Sequence, residues 1–173
     1  MRALFDDDHQ AFRESFAAWL SKEVSPHYAD WERDAMTPRE VFSSAGKYGF
    51  LGMAIPERYG GGGIRDFRFN VVIAEELARA GIGGSGLGLT LHNDVCSPYF
   101  IEYCNDEQAQ RWMPGIASGE LITAIAMTEP GTGSDLASMT ATAIRDGDEY
   151  VLNGSKTFIT TGINSDLVIV AAK

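Results

Sequence analysis

The stretch "AMTEPGTGSD" (Ala126–Asp135) closes the apolar run "LITAIAM" (Leu121–Met127) with a proline, two glycines, hydroxyls and two carboxylates. Its first half reads as a strand and its second half as a turn-rich loop. Pro130 and Gly131 suit positions i+1 and i+2 of a type II turn. Gly133 lets backbone approach a ligand, so that successive N–H groups can converge on an anion such as a phosphate. Thr128 ends the strand with a hydroxyl, and Ser134 and Asp135 either meet a ligand or cap the next turn. On residue types alone, a decorated hairpin loop is an equal reading.

Working outward, the pattern differs on the two sides of this stretch. Upstream it is helical. Phe12, Phe16, Trp19 and Leu20 form one amphipathic stripe, and "TPRE" (Thr37–Glu40) reads as a capping box with Pro38 at the first helical position. Phe69, Val72, Ile73, Leu77 and Ala80 repeat at helical spacing after Asp66, with Gly81 as the C-cap. "NDEQ" (Asn105–Gln108) is a second capping box, for a helix that closes before Pro114. From Leu121 the period becomes two: "LITAIAMT", "TATAI", "YVL", "KTFIT" and "DLVIVAA" read as short strands, with Asp146-Gly147 and Asn153-Gly154 as hairpin turns. The expected class is α+β, with a helical domain over residues 1–118 and the first part of an antiparallel β-domain over 119–173, joined through "PGIASGE" (Pro114–Glu120). In "KTFIT", alternation puts Phe158 and Thr160 on one face and Ile159 on the other, a ring and a hydroxyl suited to a flat polar ligand. The final apolar run leaves a sheet edge that proteins normally cover, so the polypeptide is expected to be incomplete or completed by another chain.

Bulk properties exclude several classes. A net charge of -10 lacks the positive field of a nucleic-acid binder. No apolar run approaches the roughly 20 residues of a bilayer-spanning helix, and the acids of "MRALFDDDHQ" do not suit a signal or transit peptide. Cys96 and Cys104 form neither a disulfide framework nor a metal site, which points to a reducing cytoplasm.

Other motifs fail on context. Gly81, Gly83 and Gly86 fit a dinucleotide fingerprint but follow a helix rather than a strand. Ser44 and Lys47 match S-x-x-K without the partner motifs of that enzyme class. Glu75 and Glu76 are adjacent on a helix and so diverge, leaving Glu75 as an i,i+4 partner for Arg79. His9, His27 and His92 lack ligand or triad spacing and suit surface or core roles.

"AMTEPGTGSDLAS" resembles the signature of the acyl-CoA dehydrogenases. "FLGMAIPERYGG", the "AEEL" helix, "NDEQAQRWMPGIASGE" and "DEYVLNGSKTFITTG" extend the resemblance over the whole chain in that family's order. The resemblance implies a helical amino-terminal domain, a middle β-domain and a carboxy-terminal helical bundle, the last absent here, with FAD between β-domain and bundle. It places Ile125, Met127, Thr128, Gly133 and Ser134 along the flavin, with the Thr128 hydroxyl bonding to the ring. Phe158, Ile159 and Thr160 border the ring, Phe158 keeping an aromatic edge where many members have Trp, and the Thr160 hydroxyl lies near the nitrogen that accepts hydride. Ser134 also stands where the signature serine meets the acyl-CoA thioester ligand.

The implied reaction removes an α-proton and a β-hydride from a fatty acyl-CoA, giving a trans-2-enoyl-CoA and reduced FAD. It requires a carboxylate base. The family takes that base from the bundle, so no catalytic residue is assigned in this chain, and Glu129 is not promoted to that role. No metal is implied. The chain alone is expected to be inactive, and an electron-transfer flavoprotein is the expected acceptor of a homo-oligomeric (tetrameric or dimeric), cytoplasmic, bacterial enzyme. A non-catalytic remnant or interaction subunit of the same fold is the alternative, and an oxidase or flavin monooxygenase relative stays open. For the acyl tail, Leu87, Leu91 and Val95 offer one helical face, equally an ordinary core face, and Gly88 beside it leaves an open floor suited to a medium, long or branched chain.

Overall fold

The computed structural model describes residues 4–173, apart from the side chain of Ser85. Met1 to Ala3, the opening of the acidic amino-terminal stretch, lie outside the described residues.

Helix α1 (Asp7–Trp19) begins at Asp6, whose carboxylate accepts from the His9 N–H while the His9 ring reaches back to the Asp6 backbone. It runs into a π-helical turn, Leu20–Val24, and is followed by α2 (Tyr28–Arg33), α3 (Arg39–Lys47) and α4 (Arg68–Arg79). The predicted stripe is the core: Phe16, Trp19 and Leu20 are buried against Val41 and Phe42 of α3 and Ile73 and Leu77 of α4. Burying a side chain of this size contributes roughly 1.5–3 kcal/mol. The Trp19 indole N–H, which burial would otherwise strand, donates to Ser44 Oγ at 3.0 Å.

Two local expectations are corrected here. No capping box forms at Thr37; Pro38 itself occupies the cap position. The residue before a proline is held extended, so Thr37 stands too far out, and its carbonyl instead accepts from Asn164 Nδ2 at 2.6 Å. Nor does Glu75 pair with Arg79. Glu75 and Glu76 both grip the Arg13 guanidinium, at 2.7 and 2.5 Å, and Arg79 bonds Glu76 at 2.8 Å. The i,i+4 rule loses to a buried cation from a neighbouring helix.

Helix α5 (Gly84–Thr90), a π-helical segment Leu91–Cys96 and α6 (Ser97–Tyr103) follow one another without a break. Helix α7 (Asp106–Ser118) starts at the Asn105/Gln108 capping box as expected. It does not close before Pro114 but carries it. Gln110 and Pro114 are both exposed, so water can reach the carbonyl that the proline leaves unpaired. Pro114–Glu120 is therefore mostly the last turns of a helix, which Gly119 (φ 74) ends. Close backbone approach joins α3 to α7: a Cβ on Gly46 would lie 2.1 Å from the Ser118 carbonyl oxygen, and one on Gly119 would lie 2.2 Å from that of Phe42.

The β region holds β1 (Thr123–Ala126), β2 (Thr142–Asp146), β3 (Glu149–Asn153) and β4 (Leu167–Val170). β2 and β3 make the expected antiparallel hairpin, turning at Gly147 and Asp148. β1 and β4 are instead parallel, in register Thr123↔Leu167 through Ala126↔Val170, which corrects the expectation of a wholly antiparallel sheet. Ile125, Leu167 and Ile169 pack on the second buried cluster, around Cys96, Phe100, Met113 and Ile116. The last apolar run is thus paired along one edge by β1, and Lys173 bonds Ala141 and Ala143 beyond it. Asn153-Gly154 is no hairpin turn: Gly154 (φ 145) passes so near Ala141 that a Cβ would meet its methyl at 2.7 Å. Among the described residues no helix is long and apolar enough to cross a membrane, and no cluster could hold a metal ion.

Candidate functional site

β1 delivers the chain into the opening stretch, where Glu129 is the hub. Its carboxylate is 5% exposed and accepts from Thr140 N–H and Oγ1 (both 2.7 Å), Ala141 N–H (2.9 Å) and Lys156 Nζ (2.9 Å). The Lys156 ammonium first, then the backbone N–H groups of Thr140 and Ala141, hold its pKa down to about 2. So committed a carboxylate makes a poor base and a good staple. Lys156 also donates to the Met127 carbonyl at 2.9 Å, and Thr157 N–H to the Thr128 carbonyl at 2.9 Å. Residues 127–132 and 156–157 are thereby laced together, which brings Met127 and Thr128 beside the loop carrying Phe158, Ile159 and Thr160.

That loop is not the strand expected from "KTFIT". Phe158 (φ 57) and Thr161 (φ 61) are left-handed, which ends any alternation, so Phe158 and Thr160 do not share a strand face. Phe158 stands 91% exposed, while Ile159 and Thr160 are half-buried. Non-glycine residues in this conformation persist where surrounding structure imposes them, and they gather at ligand sites.

The type II turn is also corrected. Gly131 lacks the positive φ such a turn needs, and the segment closes by reciprocal Glu129–Thr132 backbone bonds at 2.9 and 3.1 Å. What survives is the supply of donors. The N–H groups of Gly131, Gly133, Ser134 and Asp135 donate to no described residue, nor do the hydroxyls of Thr128, Ser134 and Thr160 bond to any. A Cβ on Gly133 would meet nothing within 4 Å, leaving the approach to this backbone open.

Ile159 and Thr160 line an open cleft of about 390 Å³ with Thr161, Gly88, Trp31 and Met36. Gly88 does not open a floor beneath a leucine face: its would-be Cβ lies 3.0 Å from Thr161 Cγ2 and 3.2 Å from Phe42 Cζ. Leu87 is 52% exposed on another face of the helix, and Leu91 packs partly on the second cluster. The structure therefore brings Gly88 to the Thr160 loop and leaves Leu87 and Leu91 outside that cleft.

Lys156, Thr161 and His92 were not singled out as site residues by sequence. The lysine's only signal was its place in "SKTF"; His92 and Thr161 act through bonds to Thr123, far off in sequence.

A helical unit feeding a short β region, with free donors gathered where the strand meets the loop, defines an α+β protein of two-part design. A profile of the acyl-CoA dehydrogenase N-terminal domain matches residues 6–120, and one of the middle domain matches 124–173. The chain belongs to the acyl-CoA dehydrogenase family. It is 44% identical over 172 residues to the mitochondrial long-chain specific acyl-CoA dehydrogenase of Sus scrofa, covering 99% of this chain and 39% of that protein. The crystal structure of an acyl-CoA dehydrogenase from Geobacillus kaustophilus superposes with a TM-score of 0.94 at 48% identity, over 100% of this chain and 45% of the other. An acyl-CoA dehydrogenase from Bacillus anthracis complexed with FAD gives a TM-score of 0.84 at 33% identity, over 98% and 29%. The chain thus spans less than half the length of each of these relatives.

Proposed function

We propose that this chain is the amino-terminal portion of an FAD-dependent acyl-CoA dehydrogenase that converts a fatty acyl-CoA to the trans-2-enoyl-CoA. The observation that carries this reading is the lacing of residues 127–132 to 156–157, which sets the unpaired hydroxyl of Thr128 beside the loop that carries that of Thr160. The residues suit a flavin: free hydroxyl and N–H donors for its polar edge, an exposed Phe158 ring, and open backbone at Gly133. In this reading Ile125, Met127, Thr128, Gly133, Ser134, Phe158, Ile159 and Thr160 hold FAD, and Ser134 also meets the acyl-CoA. Bound FAD supplies the two-electron oxidant that accepts the substrate's β-hydride.

The chain's own contribution is position. Thr128 and Thr160 would present hydroxyl hydrogens to the acceptor atoms of the ring, where negative charge develops as it takes up hydride, and apolar Met127 and Ile159 would keep water from it. The α-proton goes to a carboxylate that this chain does not provide, since Glu129 is held ionised by four donors and faces away from solvent. Leu87 and Leu91 remain our assignment for the acyl tail, with Gly88 shaping the loop beside it. The electron acceptor is an electron-transfer flavoprotein, and the whole enzyme is a cytoplasmic homo-oligomer.

The full-length protein should purify yellow and bleach when a fatty acyl-CoA is added without oxygen. A colourless protein that cannot be reconstituted with FAD overturns the reading.

A further inference from the structure

We propose that His92, Thr123 and Thr161 form a relay, buried at its His92–Thr123 end, that fixes the Thr160 hydroxyl, with His92 acting as a positioning residue for the flavin reaction. The inference rests on the dehydrogenase reading above.

His92 sits in the π-helical segment, 0% exposed, and both its ring nitrogens are used. The Ile116 carbonyl, 2.9 Å away, can only accept, so Nε2 carries the proton. Nδ1 must then accept, from Thr123 Oγ1–H at 2.9 Å and from Thr123 N–H at 3.3 Å. Burial depresses the pKa of the ring, against the raising effect of the Ile116 bond, which favours the neutral form this pattern needs.

On the other side of Thr123, its carbonyl accepts from Thr161 Oγ1–H at 2.9 Å, and the Thr160 carbonyl lies 2.5 Å from the same hydroxyl. That hydroxyl helps to tie down a β-branched residue at φ 61, whose carbonyl also accepts from the Asn164 N–H at 2.9 Å. Gly88, one turn before His92, closes the clamp by admitting the Thr161 methyl against the helix. Core packing does not require the loop to lie here: Thr160 and Thr161 are half-exposed, and Gly162 and Ile163 exposed. The relay therefore serves the loop's conformation more than burial. A π turn in a helix, frequent at functional sites, brings the imidazole to that task.

Three variants of the full-length enzyme test this: Thr161→Val, which keeps shape and loses the hydroxyl; Thr161→Gly, which accepts the left-handed backbone; and His92→Phe. We expect each to slow flavin reduction at saturating acyl-CoA by up to about five-fold, no more than loss of the Thr160 hydroxyl itself would, with KM little moved and the flavin's visible band shifted. In the flavin-free protein, amide hydrogen exchange across residues 158–163 should rise in all three. A double variant His92→Phe/Thr161→Val no slower than the worse single would show that the two act through one path. Should His92→Phe fail to fold, the Thr161 pair still decides. Unchanged reduction and spectrum in folded Thr161→Val and Thr161→Gly overturn the relay while leaving the dehydrogenase reading intact. A parent enzyme that takes up no FAD overturns both.

Discussion

Lys156 Nζ lies 2.9 Å from Glu129 Oε1, a pair that bridges the end of the β1 segment and the loop of Phe158 to Thr160. The Glu129 carboxylate has an ordinary pKa near 4.5 and is drawn down to about 2 in the fold. Its stabilising effect is therefore complete above about pH 4.5 and is lost as pH falls towards 2. Urea unfolding midpoints of the full-length protein should drop over that window, and Glu129→Gln should be less stable at pH 7 with a flatter profile. Equal acid sensitivity in the variant would show that other carboxylates dominate.

Gly46→Ala should destabilise the protein by about 1–3 kcal/mol, although alanine is the better helix former. The new methyl would meet the Ser118 backbone carbonyl, which has no rotamer with which to move away. Denaturant titration reads this directly; a gain in stability would mean that α3 and α7 can separate freely.

Thr160→Val removes one hydroxyl while nearly keeping shape. We expect weaker FAD retention or slower reduction by about 1 kcal/mol, the worth of one hydrogen bond. Reduction kinetics indistinguishable from the parent would show that Thr160 does not reach the ring.

Leu87 is exposed, so Leu87→Glu should leave folding untouched. If this face meets the acyl tail, KM for long-chain substrates should rise by about ten-fold or more relative to short ones. A chain-length profile that does not change would remove Leu87 and Leu91 from the tail site.

Local signals were the legible ones. The Phe16–Trp19–Leu20 stripe and the Asn105/Gln108 box depend on neighbours within two turns, and both stand as read. The signature around Glu129 was legible as a loop, but its staple was not, because Lys156 and Ala141 come from distant segments. "KTFIT" has strand composition, yet the Thr161–Thr123 bond and the Lys156 anchor override it with two left-handed residues. Pro114 misled for the converse reason: a proline on an exposed face costs its helix one hydrogen bond that water can replace. The parallel β1–β4 pairing has no two-residue turn to announce it.

That parallel pairing also orders events at the ribosome. Thr123 finds its partner only when Leu167 has emerged, so β1 spends some seconds of synthesis without a neighbouring strand. The helices to which it docks precede it in the chain, and His92 and the cluster around Cys96, Phe100 and Met113 are already available to receive it. The nascent chain can thus shelter this strand on a finished helical platform, and a codon change that slows synthesis between β1 and β4 would lengthen the time for which the strand waits there without its partner.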